Sequence, residues 1–263
     1  MSSLSKMLSV LDLFGPHSLR LDADTIAARM GLSRATVYRY VKDLCEAGLI
    51  TRLPGSLYGL GPRIVELDWM MRQYDPLLIA GRELMHALSD ETGLAIFTSV
   101  YYDGHIINTY IAEPKGRFDF AFGRGHPLPL FRGAQSKVLV AHQNGRRLKR
   151  LYDEQIQPHE GATLDWATFN RECRRIRKDG HCTTHDELNA GLTGIAAPIF
   201  QQGAQEILGA LAAVGTSANF KLLRQETVLE MLMDTAQRIA HNLEPLAPRS
   251  AVPAPAASEL AQR

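Results

Sequence analysis

The residues best suited to chemistry lie in a predicted helix that Ser33 caps and that ends near Ala47. One side of this helix is apolar and would face a core: Val37, Tyr40, Val41 and Leu44. The cationic side chains of Arg39 and Lys42 fall on the opposite side. Exposed guanidinium and ammonium groups bind phosphates and can donate hydrogen bonds to base edges. The pattern therefore predicts a helix that enters the major groove of DNA.

The residues of this region would have separate roles at the duplex. Ala35 is small enough to allow a close approach, Thr36 can bind a phosphate or a base edge, and Arg39 can reach a guanine. The predicted phosphate contacts are Lys42, Arg52 and Tyr58. The full set of predicted DNA contacts is Ser33, Arg34, Ala35, Thr36, Tyr38, Arg39, Lys42, Arg52 and Tyr58. The alternative is that the helix presents only an ordinary solvated face.

The elements around this helix predict a winged helix-turn-helix domain over residues 1–61. Before it come predicted helices at 5–15 and 24–30, and after it strands at 49–53 and 57–60. Gly31 would end the second helix, and a Pro-Gly-Ser turn would join the two strands into a wing. Residues 1–63 contain eight basic and five acidic side chains, a net charge of +3. This excess favours a nucleic-acid partner.

A linker helix is predicted over residues 62–75, because Pro62 suits the first turn of a helix. Its apolar residues are spaced three, four and three apart and form one narrow stripe: Ile64, Leu67, Met71 and Tyr74. A stripe this narrow is not typical of a helix in the middle of a domain. We expect this helix to pair with its copy in a dimer.

Residues 76–244 are predicted to form an α+β domain with a mostly antiparallel sheet. Asp75-Pro76 marks its start, and Asp103-Gly104 predicts a hairpin turn. The predicted strands are 95–101, 106–111, 118–122, 181–186, 192–200 and 207–215. The predicted helices are 77–91, 133–142, 146–154, 164–178 and 219–243. Residues 245–263 are rich in proline and alanine and are predicted to be a disordered tail.

Composition argues against several classes of protein. No apolar stretch is long enough to span a membrane, and no secretion signal is recognisable. The three separated cysteines, Cys45, Cys173 and Cys182, fit a reducing cytoplasm. Four polar residues without a recognised metal or acid–base spacing are expected to be surface residues or satisfied polar groups of turns: His126, His185, Asp186 and Glu187. We therefore expect a cytoplasmic protein with no metal, no cofactor and no membrane partner.

Five short motifs resemble those of the IclR family of bacterial regulators. They are Leu-Ser-Arg-Ala-Thr-Val-Tyr-Arg at 32–39, Tyr-Gly-Leu-Gly at 58–61, Glu-Thr-Gly at 91–93, Pro-Leu-Pro-Leu at 127–130 with Lys137 following, and Gly-Ile-Ala-Ala-Pro-Ile at 194–199. The resemblance covers about residues 4–243, in order. It implies a winged helix, a linker helix and a GAF-like effector domain that binds a small organic acid. It also implies dimers that commonly pair into tetramers on double-stranded operator DNA.

The resemblance places the effector pocket at the start of the helix after Gly133. The residues it assigns to the pocket are Gly133, Ala134, Gln135, Ser136, Thr184, Gly194, Ala212 and Val214. A helix start made of small residues presents free amides and a partial positive charge, which suit a carboxylate. The last four residues stand where relatives with very small polar effectors have mostly polar groups. We therefore expect a larger, partly apolar acid such as an aromatic catabolite, the alternative being a packed helix start without a ligand.

Two other classes of function stay open. An enzyme acting on a small organic acid is the main alternative, although the sequence has no nucleophile-elbow, phosphate-loop or paired-histidine motif. The other is a module whose winged helix binds protein. The function we expect is a transcriptional regulator without catalytic residues, in which the acid changes the spacing of two winged helices and so changes operator binding.

Overall fold

The computed structural model describes residues 2–114, 123–160, 164–201 and 206–243. The chain divides into two units, Met1–Asp75 and Pro76–Arg263. The predicted strand at 118–122 and the predicted tail at 245–263 lie outside the described residues.

The first unit is a winged helix-turn-helix followed by one further helix. Its elements are α1 (Ser3–Leu8), a 3-10 turn (Leu11–Leu13), β1 (Leu21–Asp22), α2 (Ala23–Met30), α3 (Arg34–Glu46), β2 (Ile50–Leu53), β3 (Leu57–Leu60) and α4 (Arg63–Tyr74). The strands form an antiparallel sheet in the order β1-β3-β2. The strand β1 was not predicted, and it extends the wing from two strands to three.

The core of this unit forms where the apolar side of α3 meets α2 and the sheet. The four residues predicted for that side are all buried, and they contact Ile26 and Ile50. The Asp22 side chain caps α2 by accepting from the Thr25 amide at 2.7 Å. Gly31 ends α2 with φ 63°, a backbone angle that glycine adopts without strain. Asp22 thus fixes the start of α2, and Gly31 fixes the turn between α2 and α3.

The predicted helix over residues 5–15 is wrong in its length. The structure ends α1 at Leu8 and continues with a 3-10 turn. The Ser9 hydroxyl donates to the Ser5 carbonyl at 3.0 Å, a local bond that competes with continued helix formation.

The second unit is an α+β domain, as the sequence predicted. Its helices are α5 (Pro76–Thr92), α6 (Ala134–Ala141), α7 (Gly145–Leu151), α8 (Gln157–Glu160), α9 (Trp166–Asp179), α10 (Ser217–Leu222) and α11 (Gln225–Asn242). Its strands are β4 (Ala95–Tyr102), β5 (His105–Ala112), β6 (Pro127–Leu128), β7 (Cys182–His185), β8 (Leu192–Phe200) and β9 (Ile207–Thr216). They form one sheet in the order β6-β5-β4-β9-β8-β7, and every pairing is antiparallel.

Helices cover both faces of this sheet. Alternate residues of each strand point to opposite faces, so Ile96 packs against α5 and α11 while its neighbour Phe97 faces α6 and α9. Along β9, Leu211 and Ala213 lie in the same core as Ile96, and Ala212 lies in the same core as Phe97. The core that contains Phe97 and Ala212 holds α6 against one face of the central strands.

Two predicted helices differ from those observed. The helix predicted at 219–243 is two helices, because Leu223 and Arg224 adopt extended backbone angles between α10 and α11. The helix predicted at 146–154 continues beyond its expected end through a π-helical turn, Tyr152–Ile156, into α8. None of the helices in the described part of the chain has the length and hydrophobicity of a membrane span.

Candidate functional site

The start of α3 is shaped by its cap. The Thr36 amide donates to the Ser33 hydroxyl oxygen at 3.3 Å, and the two hydroxyl oxygens lie 2.9 Å apart. Ser33, Arg34 and Ala35 are exposed, and Thr36 is half-buried. The small side chain of Ala35 leaves this end of the helix open to a close approach.

Arg39 and Lys42, the cations predicted on the outward side of α3, are both exposed. The Arg39 guanidinium lies 5.6 Å from the centre of the Tyr40 ring. Lys42 lies 3.6 Å from Glu46 in a pair whose side chains are 70% and 66% exposed. Exposed ion pairs stabilise by no more than about 1 kcal/mol, so Lys42 can exchange Glu46 for a phosphate at small cost.

Arg34 has a partner on α2. Its guanidinium forms an exposed ion pair with the Asp24 carboxylate. The pair links the first turns of the two helices of the helix-turn-helix. Because both side chains are more than half exposed, a phosphate can replace this carboxylate at similarly small cost.

Tyr58 does not have the exposure that its predicted role requires. Its side chain is only 5% exposed and belongs to the core of the first unit. Arg52, its cross-strand neighbour, is exposed and lies 5.9 Å from the centre of its ring. Together with exposed Tyr38, both residues line a groove of about 260 Å³ between α3 and the wing. Tyr58 thus packs beneath Arg52, and its contact with a phosphate stays a prediction.

A second candidate site is a cavity at the amino end of α6. Gly133 precedes the helix with φ 85°, and no side chain of its own caps the helix. The cavity has a volume of about 40 Å³. The residues that line it are Phe97, Asn108, Leu128, Gly133, Ala134, Gln135, Thr184, Glu187, Leu188, Asn189, Leu192, Thr193, Gly194 and Val214. Most of its wall is therefore apolar, with the amides of the first turn of α6 at one end.

Gly194 lies at the meeting point of three residues of this cavity. A Cβ atom built on it would lie 3.7 Å from Val214 Cγ2, 3.8 Å from Ala134 Cβ and 3.8 Å from Thr184 Oγ1. These are ordinary contact distances. The structure thus brings together residues from α6, β7, β8 and β9 that are as much as 80 positions apart.

Six of the eight residues predicted for the pocket line this cavity: Gly133, Ala134, Gln135, Thr184, Gly194 and Val214. Ser136 and Ala212 do not line it. Ala212 is buried in the core beneath α6. Ser136 is buried too, and its hydroxyl has no hydrogen-bond partner among the described residues.

The sequence interpretation missed the role of Glu187. Instead of lying free at the surface, its carboxylate accepts from the Gly133 amide at 2.9 Å and from Lys137 Nζ at 2.6 Å. Lys137 also donates to Glu172 at 3.1 Å. Burial alone would lower the pKa of Lys137, but the two carboxylates outweigh burial and raise it. No spacing in the sequence marks this contact, because Glu187 and Gly133 are 54 positions apart.

A winged helix-turn-helix, followed in the same chain by an α+β unit with a cavity at a helix start, defines a class of transcriptional regulators. Residues 74–241 match the family described as bacterial transcriptional regulator IclR C-terminal, and residues 3–54 match the IclR helix-turn-helix domain. The chain belongs to the IclR family. It therefore has a DNA-binding domain and a domain of the kind that binds small-molecule effectors.

Similar proteins extend over nearly the whole chain. The Pca regulon regulatory protein of Pseudomonas putida is 25% identical over 252 residues, covering 92% of this chain and 84% of that protein. An IclR transcriptional regulator from Silicibacter sp. TM1040 has the same fold, with a TM-score of 0.80, 22% identity, and coverage of 92% and 96%. An IclR homolog from Microbacterium hydrocarbonoxydans, complexed with 4-hydroxybenzoate, gives a TM-score of 0.71, 20% identity, and coverage of 92% and 99%. The named relatives are transcriptional regulators and not enzymes.

Proposed function

We propose that this regulator binds operator DNA under the control of a small, partly apolar organic acid held at the amino end of α6. The observation that carries the proposal is the cavity itself, which joins the helix-start amides of α6 to apolar walls. The amides suit a carboxylate, and the walls suit a hydrocarbon body such as an aromatic ring. The residues we assign to the effector are Gly133, Ala134, Gln135, Thr184, Gly194 and Val214.

For the DNA side of the function, we assign the exposed residues of α3 and the wing. They are Ser33, Arg34, Ala35, Thr36, Tyr38, Arg39, Lys42 and Arg52. In a helix-turn-helix protein the amino-terminal part of the second helix reads base edges, and dimers place two such helices on two half-sites. We therefore propose a dimer, pairing further into a dimer of dimers, as the form that binds DNA.

The acid would act by shifting a population. A ligand can change operator affinity only if it binds one arrangement of the two winged helices better than another. The relevant measurement is therefore operator affinity with and without the acid. Repression or activation then depends on where the operator lies relative to a promoter.

The test begins with selection of DNA from a randomised pool by the full chain. The enriched sequence is then titrated in a gel-shift experiment with and without 4-hydroxybenzoate, benzoate, pyruvate or glyoxylate. We expect a preferred sequence, and a shift in its affinity with the aromatic acids. Absence of any preferred sequence would overturn the DNA proposal, and a response to only the two- and three-carbon acids would overturn the proposed effector class.

A pair of glycine variants assigns the response to the cavity. Gly194→Ala adds a methyl group at ordinary contact distances, so the protein should fold with less space for the acid. We expect it to retain operator binding and to lose most of the response to the acid. The control is Gly145→Ala, whose added Cβ would meet nothing within 4 Å. Equal responses in both variants would place the effector elsewhere.

A further inference from the structure

A carboxylate of the protein itself already lies where the effector carboxylate is expected. Glu187 accepts from the Gly133 amide through Oε2 and from Lys137 Nζ through Oε1. Both donors belong to the amino end of α6. The amides of Ala134, Gln135 and Ser136, in the first helical turn, have no partner within the helix. The Glu187 carboxylate therefore balances the partial positive charge of this helix end, while the amides of the first turn remain available to a ligand.

Glu187 belongs to a short segment that closes the cavity, residues 186–191, which we call the strap. Asp186 begins the strap with φ 58°, and its side chain accepts from the Gly191 amide at 2.5 Å. Arg132 donates to the Glu187 carbonyl at 2.6 Å. Leu188 covers Gly133 so closely that a Cβ there would lie 2.6 Å from Leu188 Cδ1. The strap thus covers the helix start with a carboxylate, from Glu187, and with an apolar side chain, from Leu188.

Two polar side chains lie on the first turn of α6 beside this contact. Gln135 lines the cavity, is 4% exposed, and forms no side-chain hydrogen bond with any described residue, so its amide group is available to a polar ligand. Ser136 does not line the cavity, and its buried hydroxyl has no partner within the described chain. Gln135 is therefore the polar side chain that a ligand in the cavity would meet.

We propose that Glu187 competes with the effector carboxylate for the amino end of α6, and that the strap must release Gly133 and Lys137 before an acid can bind. The inference rests on the proposed function, since it concerns the same cavity. Two carboxylates at one helix end repel each other, so binding of an acid favours departure of Glu187. Departure of Leu188 with the strap would also enlarge a cavity that now holds no more than a few water molecules.

The test compares Glu187→Gln with Glu172→Gln by calorimetric titration of 4-hydroxybenzoate and of uncharged 4-hydroxybenzamide. Both substitutions remove a negative charge beside Lys137, but only Glu187 also binds the Gly133 amide. We expect Glu187→Gln to bind the acid about tenfold more tightly than the native protein, because a charge-assisted competitor is lost. The affinity for 4-hydroxybenzamide should increase much less. The Glu172→Gln protein should bind the acid less tightly than the Glu187→Gln protein. Equal or weaker binding of the acid by Glu187→Gln would overturn the proposal.

A second measurement does not depend on the identity of the effector. Acetate is titrated into both proteins while the backbone amide signals of Gly133 and Ala134 are followed by NMR. We expect these signals to respond at lower acetate concentration in Glu187→Gln than in the native protein, and an unchanged response would contradict competition. Should Glu187→Gln not fold, Glu187→Asp, whose shorter side chain cannot span both donors, should shift the response in the same direction. The proposed function is tested by a different experiment, the selection of operator DNA by the native protein. Its failure can therefore be distinguished from failure of the competition proposed here.

Discussion

Arg39 is the residue whose loss should affect sequence reading most. It is exposed on α3, and among the described residues its guanidinium contacts the Tyr40 ring and forms no ion pair, which leaves its donors available. We predict that Arg39→Ala weakens operator binding by about 1–3 kcal/mol and relaxes the preference at one base pair. Gel-shift titration against single-base variants of the operator measures both effects. The control is Arg171→Ala, an exposed arginine of α9, and equal losses for the two variants would remove Arg39 from the reading set.

The cysteines make a second prediction at this scale. Burial raises the pKa of Cys173 to about 12 and that of Cys182 to about 11. At pH 8 the thiolate fraction is then about one in ten thousand for Cys173 and about one in a thousand for Cys182. Cys45 is only partly buried, and burial raises its pKa as well.

We therefore expect iodoacetamide to modify Cys45 well before the other two in the folded protein, as followed by peptide mass spectrometry. All three should react at similar rates in urea. Rapid modification of Cys173 under native conditions would show that its helix opens readily, contrary to its full burial.

Single residues also show how far the sequence could be interpreted. The small residues around Gly133 and Gly194 could be assigned because their types and order follow a family pattern. Tyr58 was expected to bind a phosphate, and its burial, which residue type alone did not predict, leaves little of its side chain exposed for that contact. Glu187 could not be found, because its role depends on a contact between two distant segments that no periodicity encodes.

At the scale of elements, α4 is a helix whose apolar side chains are exposed to solvent. None of its twelve described residues is buried. Val65, Trp69 and Tyr74 are 71%, 64% and 69% exposed. A helix with this much exposed apolar surface is typical of an association site.

We predict that the double substitution Leu67→Ser and Met71→Ser, on the stripe predicted to pair in a dimer, weakens self-association of the full chain at least about tenfold, since both side chains are exposed and full burial of each large apolar side chain contributes about 1.5–3 kcal/mol. Sedimentation velocity over a range of concentrations measures the change. Gln73→Ser on the same helix should leave association unaltered. If the double variant associates like the native chain, α4 is not the contact.

The elements also separate what periodicity predicts from what it does not. The apolar side of α3 was predicted correctly because its buried residues recur at helical spacing. The breaks after Leu8 and at Leu223–Arg224 were missed, because they depend on one serine side chain and on two extended residues. Apolar spacing continues through such breaks. The ends of a helix are therefore less predictable from the sequence than its buried face.

At the scale of the whole molecule, charge separates DNA binding from the protein-binding alternative. The net charge is +3 over residues 1–63 and −2 over residues 64–263, so the excess of cations is confined to residues 1–63. In a dimer, Arg34, Lys42 and Arg52 would supply about six phosphate contacts. Each contact releases a counterion and contributes about −0.9 to the slope of log affinity against log salt, so we predict a slope near −5.

Gel-shift or fluorescence titrations at several salt concentrations measure this slope. Lys42→Ala should reduce its magnitude by about 2 in a dimer, because one phosphate contact is lost on each half-site. If Arg39 binds a base edge, Arg39→Ala should instead change the preference among operator sequences more than it changes the salt slope. A native slope near zero would mean that the exposed cations of α3 and the wing do not contact phosphates, and the winged helix would then be better explained as a surface for another protein.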